Sequence, residues 1–318
     1  MLKVPERPAK RFLINKEPPM EIRNLKTFLR VAALRNFTAA ARELGYSQAN
    51  VSAQIKQLEE EVGAPLFDRI GRGVAPTQYA EALLPHARAI INSAAQMENL
   101  FKPDEEITGT IRIGMIESLF HSIGKSWILA FHKAFPKVLV EMTVDAGVTL
   151  KDYLTQGTLD AACTIIDDPL TDEAWQVLYS ADSRVVAVAN PGHPLAKKKK
   201  ILPADLAGQE IILMENNVPY NIRMREDLYR MGVELDPFLI LQSSEMARQL
   251  TVAGPYLSVL PFYAVRESLE AGELAELPLP WLNLSQTVQF VLHRNKALLP
   301  HLAGAARIFE EEVAPVLK

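Results

Sequence analysis

The sequence predicts an α/β protein in two parts: an N-terminal winged helix-turn-helix with a linker helix, then a larger domain of alternating strands and helices. Three observations predict it. Residues 36–62 read as two short helices joined by a tight turn at a glycine. An apolar seam stepping by three and four follows, along a long helix. Beyond Pro103 the pattern changes to strand-like runs separated by helical stretches, and that alternation argues for parallel α/β layers.

In NFTAAARELGYSQANVSAQIKQLEEEV, Asn36 is placed to cap the first helix, with Ala39, Ala40 and Leu44 as its packing face. Gly45 ends it, since glycine takes the left-handed conformation of a helix stop. Ser47 caps the second helix, with Tyr46 and Val51 set as a hydrophobic staple. Val51, Ile55, Leu58 and Val62 recur at helical spacing as the buried stripe. The opposite face carries Ala49, Ser52, Ala53 and Lys56, with Gln48 at the tip. Small and polar residues there let a helix lie deep in the major groove of double-stranded DNA. Taken alone, two amphipathic helices around a glycine also fit many all-α domains. The next segment favours DNA. APLFDRIGRGVAPTQ has no helical period, and Gly71 and Gly73 flank Arg72 in what reads as a short hairpin, a wing. Arg69 and Arg72 are either solvated loop charges or minor-groove contacts, where the narrow groove concentrates negative potential. Their place directly behind the helix pair favours the second.

From Ala80 the residues Ala80, Leu83, Ala87, Ile90, Ala94, Met97 and Phe101 form a heptad seam, the pattern of a helix that pairs with its twin. Pro85 lies within it, and a proline lacks the amide hydrogen, so a kink or local break is expected there.

The block FTAAARELGYSQANVSAQIKQLEEEVGAPLFDRIGRG, with PTQYAEALLPHARAII after it, resembles the LysR-type transcriptional regulators, and the resemblance runs from Met20 to roughly the C-terminus. Two positions depart from the family's pattern. Ala53 stands where an arginine is common, and Ala80 where glycine is common. Without that arginine, Gln48, Ala49, Ser52 and Lys56 are the expected contacts, the methyls of Ala49 and Ala53 can meet thymine methyls, and preference leans on the wing and on DNA bendability. The resemblance divides the chain into an arm (1–19), a DNA-binding domain (20–78), a linker and dimerisation helix (79–102) and an effector-binding domain (109–318). It implies that the last is a periplasmic-binding-protein-like sensor of two α/β subdomains, 109–180 with 282–318, and 181–281. It further implies a homodimer or homotetramer, a small-molecule effector such as a carboxylate, and RNA polymerase as a partner at the promoter.

Strand-like runs are TIRIGMI, VLVEMTV, LDAACTII, RVVAVA, EIILM, FLILQ, LSVLP and TVQFVLHRN, with a last helix from about Leu298 to Val313. A sheet of this kind binds ligand outside the carboxyl ends of its strands. After the first strand Ser118 and Leu119 stand at a helix start, whose free amides suit an anion. Ser118 serves equally as a helix cap; the resemblance places its loop in the effector site. Gly147 follows the second strand, and Thr164 to Ile166 close the third. Asn217, Val218 and Tyr220 follow EIILM, and Ser243 and Ser244 precede a helix. VAGPYLSVLP departs from the family's glycine-rich turn. Its Tyr256 either lines the cleft or packs beneath a neighbouring helix.

Composition narrows the classes. The 318 residues exceed one ordinary domain, and 48% hydrophobic content supplies sizeable cores. A net charge of -4 puts the DNA surface on a local patch. The single cysteine, Cys163, leaves no intramolecular disulfide or cysteine-based metal cluster, and its run LDAACTII suggests a buried thiol. The six histidines lack close metal-ligand spacing. There is no dinucleotide fingerprint, P-loop or nucleophile elbow, so neither an enzyme nor a cofactor is expected. Apolar runs are short and interrupted by charges, which predicts no membrane span and a cytoplasmic protein. Residues 1–19 read as a flexible arm, or as sequence upstream of a start at Met20. A solute-binding protein would share the sensor fold without needing a winged helix. An architectural DNA-binding protein with an inert C-terminal domain is separated only by ligand response.

Overall fold

The computed structural model describes residues 20–70, 73–99, 102–166, 174–215 and 218–317. The arm, Arg72, Phe101 and Asn217 lie outside the described residues, and Arg69 and Ile166 are described by their backbone. The chain divides at Ala94 into two compact units.

In the first unit α1 (Ile22–Leu34), α2 (Phe37–Leu44) and α3 (Gln48–Val62) precede a hairpin of β1 (Phe67–Ile70) and β2 (Gly73–Pro76), and α4 (Gln78–Asn99) follows. The stops and starts are chemical. The Ala39 amide donates to Asn36 Oδ1 at 3.0 Å, and that of Asn50 to Ser47 Oγ at 3.2 Å. Gly45 and Gly63 close α2 and α3 at φ of 70° and 72°, values that cost an L-residue strain. The core joins Leu25, Phe28 and Val31 of α1 to Val51, Ile55 and Leu58 of α3. On α2 the buried pair is Ala40 and Ala41, with Ala39 and Leu44 only half-buried. Tyr46 remains exposed, so it makes a poor staple.

The helix α4 runs unbroken through Pro85. A proline removes one backbone hydrogen bond, and burial of Ala80 before it and Ala87 after it in the same core offsets that loss. The seam accordingly splits. Ala80, Leu83 and Ala87 serve the unit's own core, whereas Ile90 and Met97 are 41% and 70% exposed.

The second unit is built on one nine-stranded sheet in the order β4-β3-β5-β11-β6-β9-β7-β8, with β10 beside β6. Its elements are β3 (Gly109–Met115), α5 (Glu117–Leu119), a π-helical turn (Phe120–Gly124), α6 (Lys125–Ala134), β4 (Val138–Val144), α7 (Gly147–Thr155) and β5 (Ala161–Ile166). Next come β6 (Trp175–Ala189), β7 (Ile211–Met214), α8 (Pro219–Arg230), β8 (Leu239–Leu241), α9 (Ser244–Ala253), β9 (Leu257–Pro261) and α10 (Phe262–Glu270). The last are β10 (Ala275–Glu276), β11 (Leu284–His293) and α11 (Pro300–Val313).

Two hydrophobic cores define two lobes. One gathers Ile111, Ile113, Trp127, Phe131, Phe290 and Phe309; the other gathers Val186, Val188, Ile212, Leu213, Met224 and Leu260. Within each lobe the strands run parallel, β4-β3-β5 in the first and β9-β7-β8 in the second. The connectors β6 and β11 are antiparallel, paired from Leu284↔Val185 to His293↔Trp175 with a shift between Phe290 and Val291. β6 begins nine residues ahead of the apolar run RVVAVA, in a stretch only partly buried.

Candidate functional site

On α3 the side chains sort by face. Gln48, Ala49, Ser52, Ala53 and Lys56 are all exposed, and Val51, Gln54, Ile55 and Leu58 are buried. Gln54 takes part in a buried hydrogen bond, its Oε1 accepting from Thr27 Oγ1 at 2.6 Å, so α1 holds α3 by a polar as well as an apolar contact. Lys56 pairs loosely with Glu60 at 3.6 Å, an exposed contact that a phosphate can replace at little cost. The hairpin behind the helix forms in the register Phe67↔Pro76 to Ile70↔Gly73, with Arg69 opposite Val74. Glu59 positions it. Its carboxylate accepts the Leu66 amide at 2.7 Å. The amide of Val74 donates to the Arg35 carbonyl at 3.2 Å, tying the wing to the end of α1.

In the second unit the C-terminal ends of the parallel strands meet between the lobes. Glu117, first residue of α5, crosses from the first lobe to the N-terminus of α9 in the second. Its Oε1 accepts from Ser243 Oγ at 2.8 Å and from the Glu245 amide at 3.4 Å. Its Oε2 accepts from Ser244 Oγ at 2.6 Å and the Ser244 amide at 3.1 Å. His121 Nε2 lies 3.5 Å from Oε1. The amide-rich start of α9 thus holds a carboxylate of the chain itself. Glu245 turns away to Arg248, which, together with Gln249, holds its carboxyl below the usual range against the opposing effect of burial.

Beside this contact Ser118 Oγ lies 2.9 Å from the Tyr263 hydroxyl, and Ser122 Oγ donates to the Tyr263 carbonyl at 3.1 Å. The π-helical turn carries His121 and Ser122; such insertions re-aim side chains within a helix and concentrate at functional sites. A cavity of about 180 Å³ opens here, lined among others by Ser118, His121, Ser244, Arg248 and Tyr263.

The expected effector residues therefore separate. Ser118, Ser243 and Ser244 come together. Gly147 and Thr164 also meet, so close that a Cβ on Gly147 would stand 2.7 Å from Thr164 Oγ1 and 4.0 Å from Ile116, the residue before Glu117. Val218 is the N-cap residue of α8, and Ile166 ends β5 opposite Thr287. Two side chains expected in the cleft are placed in cores instead, and Tyr256, expected either in the cleft or beneath a neighbouring helix, packs half-buried against the second lobe's core. Leu119 is wholly buried in the first lobe, and Tyr220 is buried in the second, where desolvation pushes its phenol up. Tyr256 stacks on Phe238 at 4.6 Å between ring centroids. It precedes β9, hence lies at the end of the strands opposite to Ser243 and Tyr263. In each case an apolar ring or chain at a strand or helix end gains more by joining its lobe's core than by facing water. Glu117, His121 and Tyr263 were not anticipated; the signal for Glu117 was a lone acid at a strand's carboxyl end.

Comparison with known proteins matches residues 22–81 to the family described as bacterial regulatory helix-turn-helix protein, lysR family. Residues 104–314 match the LysR substrate binding domain. The chain is similar to the HTH-type transcriptional regulator YwqM of Bacillus subtilis, 31% identical over 259 residues, 81% of this chain and 88% of that one. It is similar to the RuBisCO operon transcriptional regulator of Allochromatium vinosum, 26% identical over 291 residues, covering 91% and 95%. Among solved structures it shares its fold with a full-length OxyR variant from Pseudomonas aeruginosa, at TM-score 0.65, 21% identity and coverage of 90% and 94%. It also shares it with full-length CbnR complexed with its target DNA, at TM-score 0.59, 20% identity and coverage of 92% and 99%.

Proposed function

The chain belongs to the LysR family of transcriptional regulators, and on that premise we propose how it works: α3 and the wing grip promoter DNA, and a small molecule acting between the lobes controls that grip. As a family member it is a DNA-binding regulator with an effector-binding domain. The observation that carries the DNA reading is the partition of α3, whose solvent face is Gln48, Ala49, Ser52, Ala53 and Lys56 over an underside that is apolar apart from Gln54. Helices of this make enter the major groove, with the positive side chain left for phosphate. Arg69 and Arg72 on the wing reach the adjacent minor groove.

Ile90 and Met97, the exposed half of the α4 seam, pair two chains into a dimer, and effector-binding domains join dimers into a tetramer. An effector that binds one arrangement of the lobes more tightly than another shifts the population. That shift alters the spacing of DNA-binding pairs, the bend of the promoter, and access for RNA polymerase. The protein works on DNA in the bacterial cytoplasm; among the described residues no helix is long and apolar enough to cross a membrane. Regulation by thiol oxidation is disfavoured. Cys163 is buried and desolvation raises its thiol well above the usual range, whereas a reactive cysteine needs exposure and thiolate character. A solute-binding role leaves the N-terminal unit without purpose, and an architectural role leaves the polar interlobe site without one.

The test is selection of genomic fragments by the purified full-length protein, then footprinting with and without a metabolite panel. An extended site with an interrupted inverted repeat, whose footprint shortens or shifts with one compound, is the expected result. Recovery of no specific fragment at moderate salt would refute the DNA reading, and a footprint insensitive to every compound would favour the architectural role.

A further inference from the structure

The four hydrogen bonds to Glu117 come from residues 126 to 128 positions away, on the other lobe. They use both carboxylate oxygens and exhaust what the first turn of α9 offers: the hydroxyls of Ser243 and Ser244 and the amides of Ser244 and Glu245. Met246 is the next free amide, and it donates to Ser243 Oγ as the N-cap bond. A helix N-terminus favours negative charge through its unpaired N–H groups and its dipole, and here that preference is already met. Glu245 is nearer in sequence yet is held off by Arg248 and Gln249. The same turn of chain docks Ser118 and Ser122 on Tyr263, so Glu117 is held in place by the residues that follow it.

We propose that Glu117 is a specificity-determining residue of the interlobe site, the chain's own occupant of the anion position at α9, which closes the lobes on each other and excludes the anionic group of a ligand from that position. This rests on the reading of the interlobe region as the effector site. The carboxylate effector implied by family resemblance is then the wrong class for this position, and the molecule that enters beside it is neutral or cationic. The reason is competition. A tethered carboxylate acts at an effective concentration of about millimolar or more, and a free carboxylate must exceed that to replace it without added contacts. The groups left to a ligand in the adjoining cavity are His121, the hydroxyls of Ser118 and Tyr263, and the acids Glu245 and Glu267 beside Arg248 and Arg266. That set offers hydroxyl and carboxylate acceptors, with each arginine already bonded to a glutamate of its own helix.

The test needs neither DNA nor effector, so its failure is distinct from failure of the regulatory reading. Hydrogen exchange is followed in the full-length protein over residues 243–250, in wild type and in Glu117→Ala, with acetate at about 100 mM, enough to fill an opened site of millimolar affinity, against equal chloride. In Glu117→Ala the first-turn amides of α9 are expected to exchange at least about tenfold faster, as an opened local contact does. Acetate restores their protection and leaves wild type unchanged. Equal protection in wild type and variant, or an acetate effect of the same size in both, overturns the proposal. If Glu117→Ala also loses protection in the lobe cores, the variant Ser244→Ala, which removes a hydroxyl from Glu117 and keeps the Ser243 cap, is read instead. Faster exchange confined to residues 116–124 and 243–250 supports the latch, and unchanged exchange there overturns it.

Discussion

The hydroxyls of Ser118 and Tyr263 meet at 2.9 Å across 145 residues of sequence, joining the start of α5 to α10. Tyr263 also accepts from Gln286 Nε2 at 3.1 Å, and its ring is buried in the first lobe's core although α10 follows a strand of the second. Burial pushes its phenol up from the ordinary value, so it stays protonated and able to donate. Tyr263→Phe keeps the ring in the core but strips Gln286 of its acceptor and Ser118 of its partner. A buried polar group left unpaired costs about 1–3 kcal/mol. Urea unfolding of the C-terminal unit should show a loss of that size, and adding Gln286→Leu should recover part of it.

Helix α3 has a comparable fastening. Thr27 and Gln54 are both buried and bonded at 2.6 Å. Thr27→Val removes the donor while nearly preserving shape, leaving Gln54 Oε1 without it. The N-terminal unit is expected to lose about 1–3 kcal/mol, read as an earlier transition of that unit in the full-length chain. Specific DNA affinity should fall more than non-specific affinity, because orientation of α3 matters for base contacts and less for the phosphate field. Equal losses would show that the bond stabilises without orienting.

Local chemistry made much of this legible in sequence. Asn36, Gly45, Ser47 and Gly63 are caps and stops whose roles depend on their nearest neighbours, and the wing announced itself by Gly71 and Gly73 around Arg72. What escaped depends on distance in sequence. Neither Glu117 nor Tyr263 carries a local pattern that points to a partner more than a hundred residues away. The crossing strand β6 begins in a half-polar stretch whose Leu178, Tyr179 and Ala181 are only partly buried against the first lobe's core, so alternation there is weak. The place of Tyr220 after a strand suggests a cleft residue, and that of Tyr256 before one fits either the cleft or packing beneath a helix. A tyrosine's large apolar body is more stably buried in its own lobe, and Phe238 and the second core provide that burial. α1 was overlooked although Leu25, Phe28 and Val31 recur every three residues.

Acid should weaken the C-terminal unit through His301. Its ring is buried, its Nδ1 has no hydrogen-bond partner among the described residues, and burial lowers its pKa, reinforced by Lys296 and opposed by Asp160. His193 is lowered by burial as well, with its Nδ1 accepting from the Leu195 amide. A histidine lowered in the folded state binds its proton more readily when unfolded. Stability is therefore full above the unfolded value of about 6.5 and is lost as pH falls through it. The urea midpoint should drop between about pH 7.5 and 5.5, a window that brackets the unfolded value, and His301→Leu should flatten that drop. An unaltered slope in the variant would assign the pH dependence to other groups.

On the DNA face, Lys56 and Ala53 should separate charge from readout. Both are exposed on the same side of α3, but only Lys56 carries a charge, and its pairing with Glu60 is solvent-screened. If Lys56 meets phosphate, Lys56→Gln weakens binding to all sequences alike and reduces the slope of log affinity against log salt by about 1. Ala53→Arg should act differently. An arginine there regains a bidentate donor for guanine, worth about 1–3 kcal/mol of discrimination, and so should re-rank sites by base rather than strengthen them uniformly. Fragment selection on both variants at two salt concentrations checks this. If Ala53→Arg merely raised affinity for every fragment and steepened the salt slope, residue 53 would face the backbone, and the groove-facing assignment of the whole strip from Gln48 to Lys56 would have to be rotated about the helix axis.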